Sequence, residues 1–109
     1  TCVRDFIHVS DLADAHVRVL EWLGAGDGSA TFNCGYGHGY SVREVLDVVG
    51  DVAGRDLTLN EAPRRAGDSP EIVADNSLLR SETGWIPRHD DLKLIVKTAL
   101  DWEKKSNPL

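Results

Sequence analysis

Three arginines and an aspartate are the side chains whose types and spacing best suit them to chemistry, and that chemistry is the holding of an anion. Arg4 lies in the alternating stretch Thr1 to Val9, where Arg4, Phe6 and His8 share one face and Val3, Ile7 and Val9 the other. One side of that stretch carries a guanidinium, a ring and an imidazole on an element rigid enough to present them to a ligand. Arg64 and Arg65 stand side by side in the loop Ala62-Pro-Arg-Arg-Ala-Gly-Asp-Ser-Pro70, which also holds Asp68. Guanidiniums are planar forks that match phosphate oxygens, and a carboxylate accepts from ribose or sugar hydroxyls. Pattern alone leaves two alternatives open: solvated loop charges paired to surface carboxylates, and an Arg4 paired with a nearby Asp.

The remaining motifs do not complete a catalytic set. Gly35-Tyr-Gly-His-Gly39 follows a strand-like run and precedes a helical one, as a dinucleotide-binding turn does, yet Tyr stands at position 40 where the third glycine is needed. The acidic residue that such a site also requires could only be Asp56 or Glu61, neither of which closes a clean βαβ unit. We therefore expect a tight turn that shapes its surroundings. His8, His16, His38 and His89 have no metal-ligand spacing, so no metal is expected. There is no G-x-S-x-G, and Tyr36 and Tyr40 are followed four residues on by Tyr40 and Glu44, never by Lys.

Composition bounds the partners. The 109 residues suit one domain, and with 41% of them hydrophobic a core can close without disulfides. Eighteen acidic against twelve basic side chains give a formal net charge of −6, which disfavours nucleic acid and anionic lipid, so an anionic ligand must be held by a local arginine cluster. No spanning helix or export signal is legible, which makes the cytoplasm the expected setting. Cys2 and Cys34 read as two half-buried thiols. With no Met and a start at Thr1 directly in a strand-like run, the chain is expected to be cut from a longer protein.

Four helices must position these residues. Ser10 and Asp11 cap a helix over 11–23 that carries Leu12, Ala15, His16, Val19, Leu20 and Leu23. Ala30 to Cys34 reads as a short buried strand, and Ser41-Val-Arg-Glu44 is a capping box that opens a helix with Val42, Val45, Leu46 and Val49 toward the core. Gly54 ends it in the left-handed conformation, and Asp56 to Glu61 alternates as another strand. Ile72 to Ala74, an Asp75 cap and a short helix to Gly84 follow, then a Trp85-Ile-Pro87 bend. A last helix starts at Asp90 or Asp91, carries Leu92, Ile95, Val96 and Ala99, and ends near Lys104 and Lys105. Trp22, Trp85 and Trp102 read as core or rim anchors.

Taken together, Val3-Arg-Asp-Phe-Ile-His-Val-Ser-Asp-Leu-Ala-Asp-Ala-His16, Phe32-Asn-Cys-Gly-Tyr-Gly-His-Gly-Tyr-Ser-Val42, Ala62-Pro-Arg-Arg-Ala-Gly-Asp68 and Thr83-Gly-Trp85 resemble the C-terminal part of the UDP-glucose 4-epimerases. These are extended short-chain dehydrogenases/reductases of the NAD-dependent epimerase/dehydratase family. The resemblance implies an α/β fold, the C-terminal substrate-binding portion (1–109) of such an enzyme, lacking the Rossmann cofactor half. That N-terminal half would be the partner of this chain, holding NAD and the catalytic Tyr and Lys that are missing here. Carried over by position, Arg4 and Arg65 contact the UDP diphosphate, Asp68 accepts from the ribose, Val42 lines the uracil side, and Phe6 occupies a place that is usually Tyr. Arg64 matches the motif without an assigned contact. The implied reaction oxidises the sugar C4 hydroxyl, turns the keto sugar and returns hydride to the other face, with this portion anchoring the nucleotide. Half of a nucleotide-sugar dehydratase or decarboxylase, and a non-catalytic nucleotide-sugar binding module, are the competing readings. Helix 11–23 and strand 30–34 carry more apolar surface than a domain of this size covers, so homodimers, swapped pairs or repacking are expected.

Overall fold

The computed structural model describes residues 1–26 and 28–107; Asp27, Pro108 and Leu109, the last two ending the 1–109 span expected above, lie outside the described residues. Of the alternating N-terminal stretch only Val3–Arg4 is a strand, β1. It is the middle of a small sheet, paired antiparallel with β2 (Tyr40–Ser41) and parallel with β3 (Glu71–Ile72), so that Arg4 sits opposite Tyr40 on one side and Ile72 on the other. Beyond Arg4 the ladder stops because a side chain takes over its work. The Asp5 carboxylate accepts from the backbone N–H of Tyr36 (2.9 Å), Gly37 (2.9 Å) and Ala74 (3.1 Å), groups that would otherwise need strand partners.

Helix α1 (Val9–Gly24) starts earlier than its periodicity predicts. His8 is its cap, with Nδ1 accepting from the Ser10 N–H at 3.0 Å, and Asp11, expected to cap, is buried inside the first turn. Helix α2 (Val42–Ala53) has the expected capping box between Ser41 and Glu44 and stops at Gly54, whose φ of +71° is a left-handed conformation that a side chain would resist. At the start of helix α3 (Ser77–Thr83) the residue before the helix, Asn76, makes no side-chain capping bond, and the expected Asp75 accepts from the Ser77 N–H at 3.0 Å. Helix α4 (Leu92–Ser106) begins as the sequence indicates, with the Asp91 carboxylate accepting from the N–H of Lys93 and Leu94.

Two expected strands are absent. Residues 30–34 and 56–61 pair with no strand among the described residues, and the one sheet holds only β1, β2 and β3. Phe32 and Cys34 still reach the core, whereas Ala30, Thr31 and Asn33 are exposed.

The core is Ala15, Tyr36, Leu79 and Trp85, flanked by Ile7, Val19, Phe32, Cys34 and Ile95. Trp85 is fully enclosed, whereas Trp102 is exposed and anchors nothing in the core. Helix α2 packs against α4, but none of its residues is fully buried, and Val42, expected to face the core, is exposed. Val9, Val17, Leu20 and Leu23 form an open apolar face on α1. The radius of gyration, 16.7 Å, exceeds the about 13 Å of a compact domain of this length, as a thin molecule 51 × 35 × 20 Å requires. No described helix is long and apolar enough to cross a membrane.

Candidate functional site

Arg4, Val42, Arg65 and Asp68, four of the five candidate site residues, line one cavity of about 760 Å³. Three separate pieces of backbone bring them together. The β1 strand presents Arg4, the junction of β2 with α2 presents Val42, and the loop between Gly54 and β3 folds back to present Arg64, Arg65 and Asp68. That loop is pinned at its far end, where the Val3 N–H donates to the Pro70 carbonyl at 2.8 Å. Phe6 is half-buried and does not line this cavity, because the strand that would have kept it beside Arg4 has already ended.

The cavity is electropositive in an acidic chain. Arg4, Arg43, Arg64 and Arg65 face only Glu61 and Asp68 there, while the formal charge of the whole chain is −6. Arg43 Nη2 donates to Glu61 at 2.7 Å and Arg65 Nε to Asp68 Oδ2 at 3.0 Å. The second pair uses one nitrogen of Arg65 and one oxygen of Asp68, leaving both terminal nitrogens of the fork and the other oxygen open. Arg4 makes no ion pair among the described residues, and its Nη1 donates to the Val3 carbonyl at 2.8 Å. The alternative of an Arg4 neutralised by an aspartate is therefore not what the structure shows. Nor is Arg64 paired among the described residues. Lys97, in contrast, is neutralised by Asp101 one helical turn away, as is ordinary for a surface cation.

An anion in this cavity must be held by side chains. The first N–H groups of α2, often an anion site, are already taken: Val42 donates to the Cys2 carbonyl (3.0 Å), Arg43 to Thr1 Oγ1 (3.2 Å) and Glu44 to Ser41 Oγ (3.0 Å). The glycine turn at 35–39 is closed in the same way. Its Tyr36 and Gly37 amides point at the protein's own Asp5 carboxylate, and a Cβ on Gly35 would lie 2.5 Å from that carboxylate's Oδ2. The turn exists to let Asp5 approach, so these residues do not fit the pyrophosphate of a dinucleotide.

A second polar cluster holds the core together. Buried Asp11 accepts from the Tyr36 hydroxyl (2.5 Å), the N–H groups of Arg88 (3.0 Å) and His89 (2.9 Å), and His89 Nδ1 (3.1 Å). Its carbonyl accepts from Trp85 Nε1 at 3.0 Å, and His8 stacks on His89 at 4.8 Å. Burial alone would raise the Asp11 pKa, but the hydrogen bonds from Tyr36, His89 and the two backbone amides outweigh it and hold the carboxyl at about 2. Burial and the Asp11 hydrogen bond push the Tyr36 phenol up, so it stays a donor. Cys2 and Cys34 are free, half-buried thiols, and burial beside Asp5 and Asp11 raises the Cys34 pKa.

Comparison with known proteins shows what the chain is similar to. Residues 1–35 match the NAD dependent epimerase/dehydratase family. A UDP-glucose 4-epimerase of Azospirillum brasilense is 52% identical over 104 residues, which are 95% of this chain and 30% of that protein. Over nearly its whole length the chain is similar to part of the UDP-glucose 4-epimerases. Among solved members, the UDP-Glc/GlcNAc 4-epimerase of Campylobacter jejuni is 50% identical and superposes with a TM-score of 0.85 over 96% of this chain and 32% of that one. The UDP-glucose 4-epimerase of Bifidobacterium longum, solved in complex with NAD+ and UDP, is 39% identical with a TM-score of 0.87 over 99% of this chain and 31% of that one. The chain spans about a third of the length of the curated relatives it matches. The expected fold class, an α/β portion of an epimerase, is the one found.

Sequence reasoning missed Arg43, Glu61 and Asp5. The first two are distant in sequence and meet only because the loop doubles back along α2. Asp5 did leave a signal: it is a charge on the otherwise apolar Val3, Ile7, Val9 face, and a carboxylate there needs buried donors.

Proposed function

We propose that this cavity holds the nucleotide end of a UDP-sugar, and that residues 1–109 act as one UDP-sugar-binding unit of an isomerase of the UDP-glucose 4-epimerase type. The observation that supports the reading most is the convergence of four guanidiniums and Asp68 from three backbone segments on one cavity, with Arg4 and Arg64 unpaired among the described residues. Desolvating such an excess of cations is costly unless an anion comes with them, and a diphosphate supplies it. Arg4 and Arg65 grip the diphosphate, the open oxygen of Asp68 accepts from the ribose hydroxyls, and exposed Val42 gives the uracil an apolar wall. Phe6, away from the cavity, belongs to substrate contacts made beyond the nucleotide end.

The chemistry at the sugar needs NAD and a proton-accepting Tyr with its Lys, which in this reading come from an N-terminal Rossmann half outside this chain. The contribution of these residues is anchoring. Fixed cations on the diphosphate hold one end of the substrate while the hexose is free to turn, so binding energy at a remote group positions the reacting one. The chain alone binds without turnover.

Titration of the chain with UDP, UDP-glucose and uridine tests this. UDP and UDP-glucose should bind alike and uridine at least about tenfold more weakly, since a phosphate contact desolvated with Arg is worth more than about 1.4 kcal/mol. A chain that binds no UDP, or binds uridine as well as UDP, contradicts the reading.

A further inference from the structure

The loop that carries Arg64, Arg65 and Asp68 is held by very little. It leaves α2 at Gly54, with the Arg55 N–H donating to the Gly50 carbonyl at 3.2 Å, and rejoins the sheet where the Val3 N–H meets the Pro70 carbonyl. Between these points, residues 56–61 make a single hydrogen bond or ion pair to the rest of the molecule among the described residues, from Arg43 Nη2 to Glu61 Oε1 at 2.7 Å. The other polar side-chain contact of the loop, Arg65 with Asp68, lies wholly within it. Arg43 is rooted on rigid backbone: it stands in the first turn of α2, beside β2, and its own N–H is tied to Thr1 Oγ1. Glu61 comes just before the segment that bears the two arginines, and both members of the pair line the cavity.

We infer that the Arg43–Glu61 ion pair is a latch that seats the 56–68 loop across the cavity, which makes Arg43 and Glu61 positioning residues for Arg65 and Asp68. The inference rests on the cavity being a nucleotide site. Being exposed, the pair adds little to global stability. Its effect is local, because no other polar contact fixes residues 56–61 while the fork of Arg65 must meet a diphosphate in a definite geometry.

The sign of one substitution separates a latch from simple attraction. If Arg43 and Glu61 acted only through their charges on a bound anion, Glu61→Gln would remove a repulsive charge and tighten UDP. As a latch, Glu61→Gln loosens the loop and raises the UDP dissociation constant about two- to fivefold, chiefly through faster release, and 0.5 M salt shrinks the difference. Arg43→Gln should weaken binding as well. Hydrogen exchange of the 56–66 amides in the ligand-free chain is the second readout. It should be faster in both single variants and return toward wild type when the pair is reversed in Arg43→Glu/Glu61→Arg. Tighter or unchanged UDP binding by Glu61→Gln, or unchanged exchange in both single variants, overturns the latch. Faster exchange in both single variants, together with a wild-type chain that binds no UDP, upholds the latch and overturns the nucleotide reading instead.

Discussion

Asp11 and Arg4 stand seven residues apart in the sequence and behave as opposites. Each oxygen of the Asp11 carboxylate has two hydrogen-bond partners, drawn from the glycine turn and from the segment before α4, so the residue ties three parts of the chain into one core. Arg4 spends one nitrogen on its neighbour's carbonyl and meets no carboxylate among the described residues. A buried charge that is fully answered from within the protein serves the fold. A cation left over, in a chain with an acidic excess, is what the proposed reading assigns to an anion from outside.

That contrast breaks first, and most severely, at Asp11. Asp11→Ala leaves the buried Tyr36 hydroxyl, the half-buried His89 Nδ1 and the N–H groups of Arg88 and His89 without their acceptor, and should cost about 3–5 kcal/mol of stability in denaturant titrations. With so few fully buried residues to draw on, a largely unfolded variant is the expected result. A variant with wild-type stability would mean that the cluster is incidental.

Acid tests the same cluster without mutation. The Asp11 pKa is about 2 in the folded chain against an ordinary value of 3.8, so its contribution is present in full above about pH 4. As the pH falls through the folded value, about 2 kcal/mol should be lost, and the slope between pH 4 and pH 2 should flatten in Tyr36→Phe, which removes one of the bonds that depress the pKa. Equal slopes in the two proteins would sink that assignment.

The smallest effect concerns the open face of α1, a third kind of surface, apolar and answered by nothing in the described chain. Leu20 is 69% exposed and aligned with Val9, Val17 and Leu23. Sedimentation should find concentration-dependent self-association that Leu20→Lys weakens by roughly 1 kcal/mol or more. A monodisperse wild-type chain would show that the face is tolerated alone.

What the sequence made legible follows the same division. Helices read well, because capping at Ser41 and Asp91 and termination at Gly54 and Gly84 are local chemistry. Strands read poorly. The alternation in 1–9 and 56–61 is real, but a strand also needs a neighbouring backbone, and the neighbour is decided by the whole fold. In the first stretch the pattern misled because Asp5 replaces the ladder, and in the second because the loop follows α2. At the site, residue type singled out Arg4, Arg65 and Asp68 and the family resemblance added Val42, and the structure shows the four meeting on one cavity. Phe6, carried over by the same resemblance, does not line that cavity. The Arg43–Glu61 pair left no trace, since ion pairs made across a folded-back loop have no fixed spacing.

The most direct measurement is calorimetric titration of UDP into Arg4→Ala and Arg65→Ala beside the thermal melting of the same two proteins. Removing a guanidinium that contacts phosphate out of water costs about 2–5 kcal/mol, so each substitution should raise the UDP dissociation constant about 30-fold or more and weaken UDP-glucose to the same degree. Melting should barely move, because neither side chain is tied into the core. Arg64→Ala should cost much less affinity than either. Wild-type affinity for UDP in both Arg4→Ala and Arg65→Ala would show that these two arginines of the cavity are not waiting for a diphosphate.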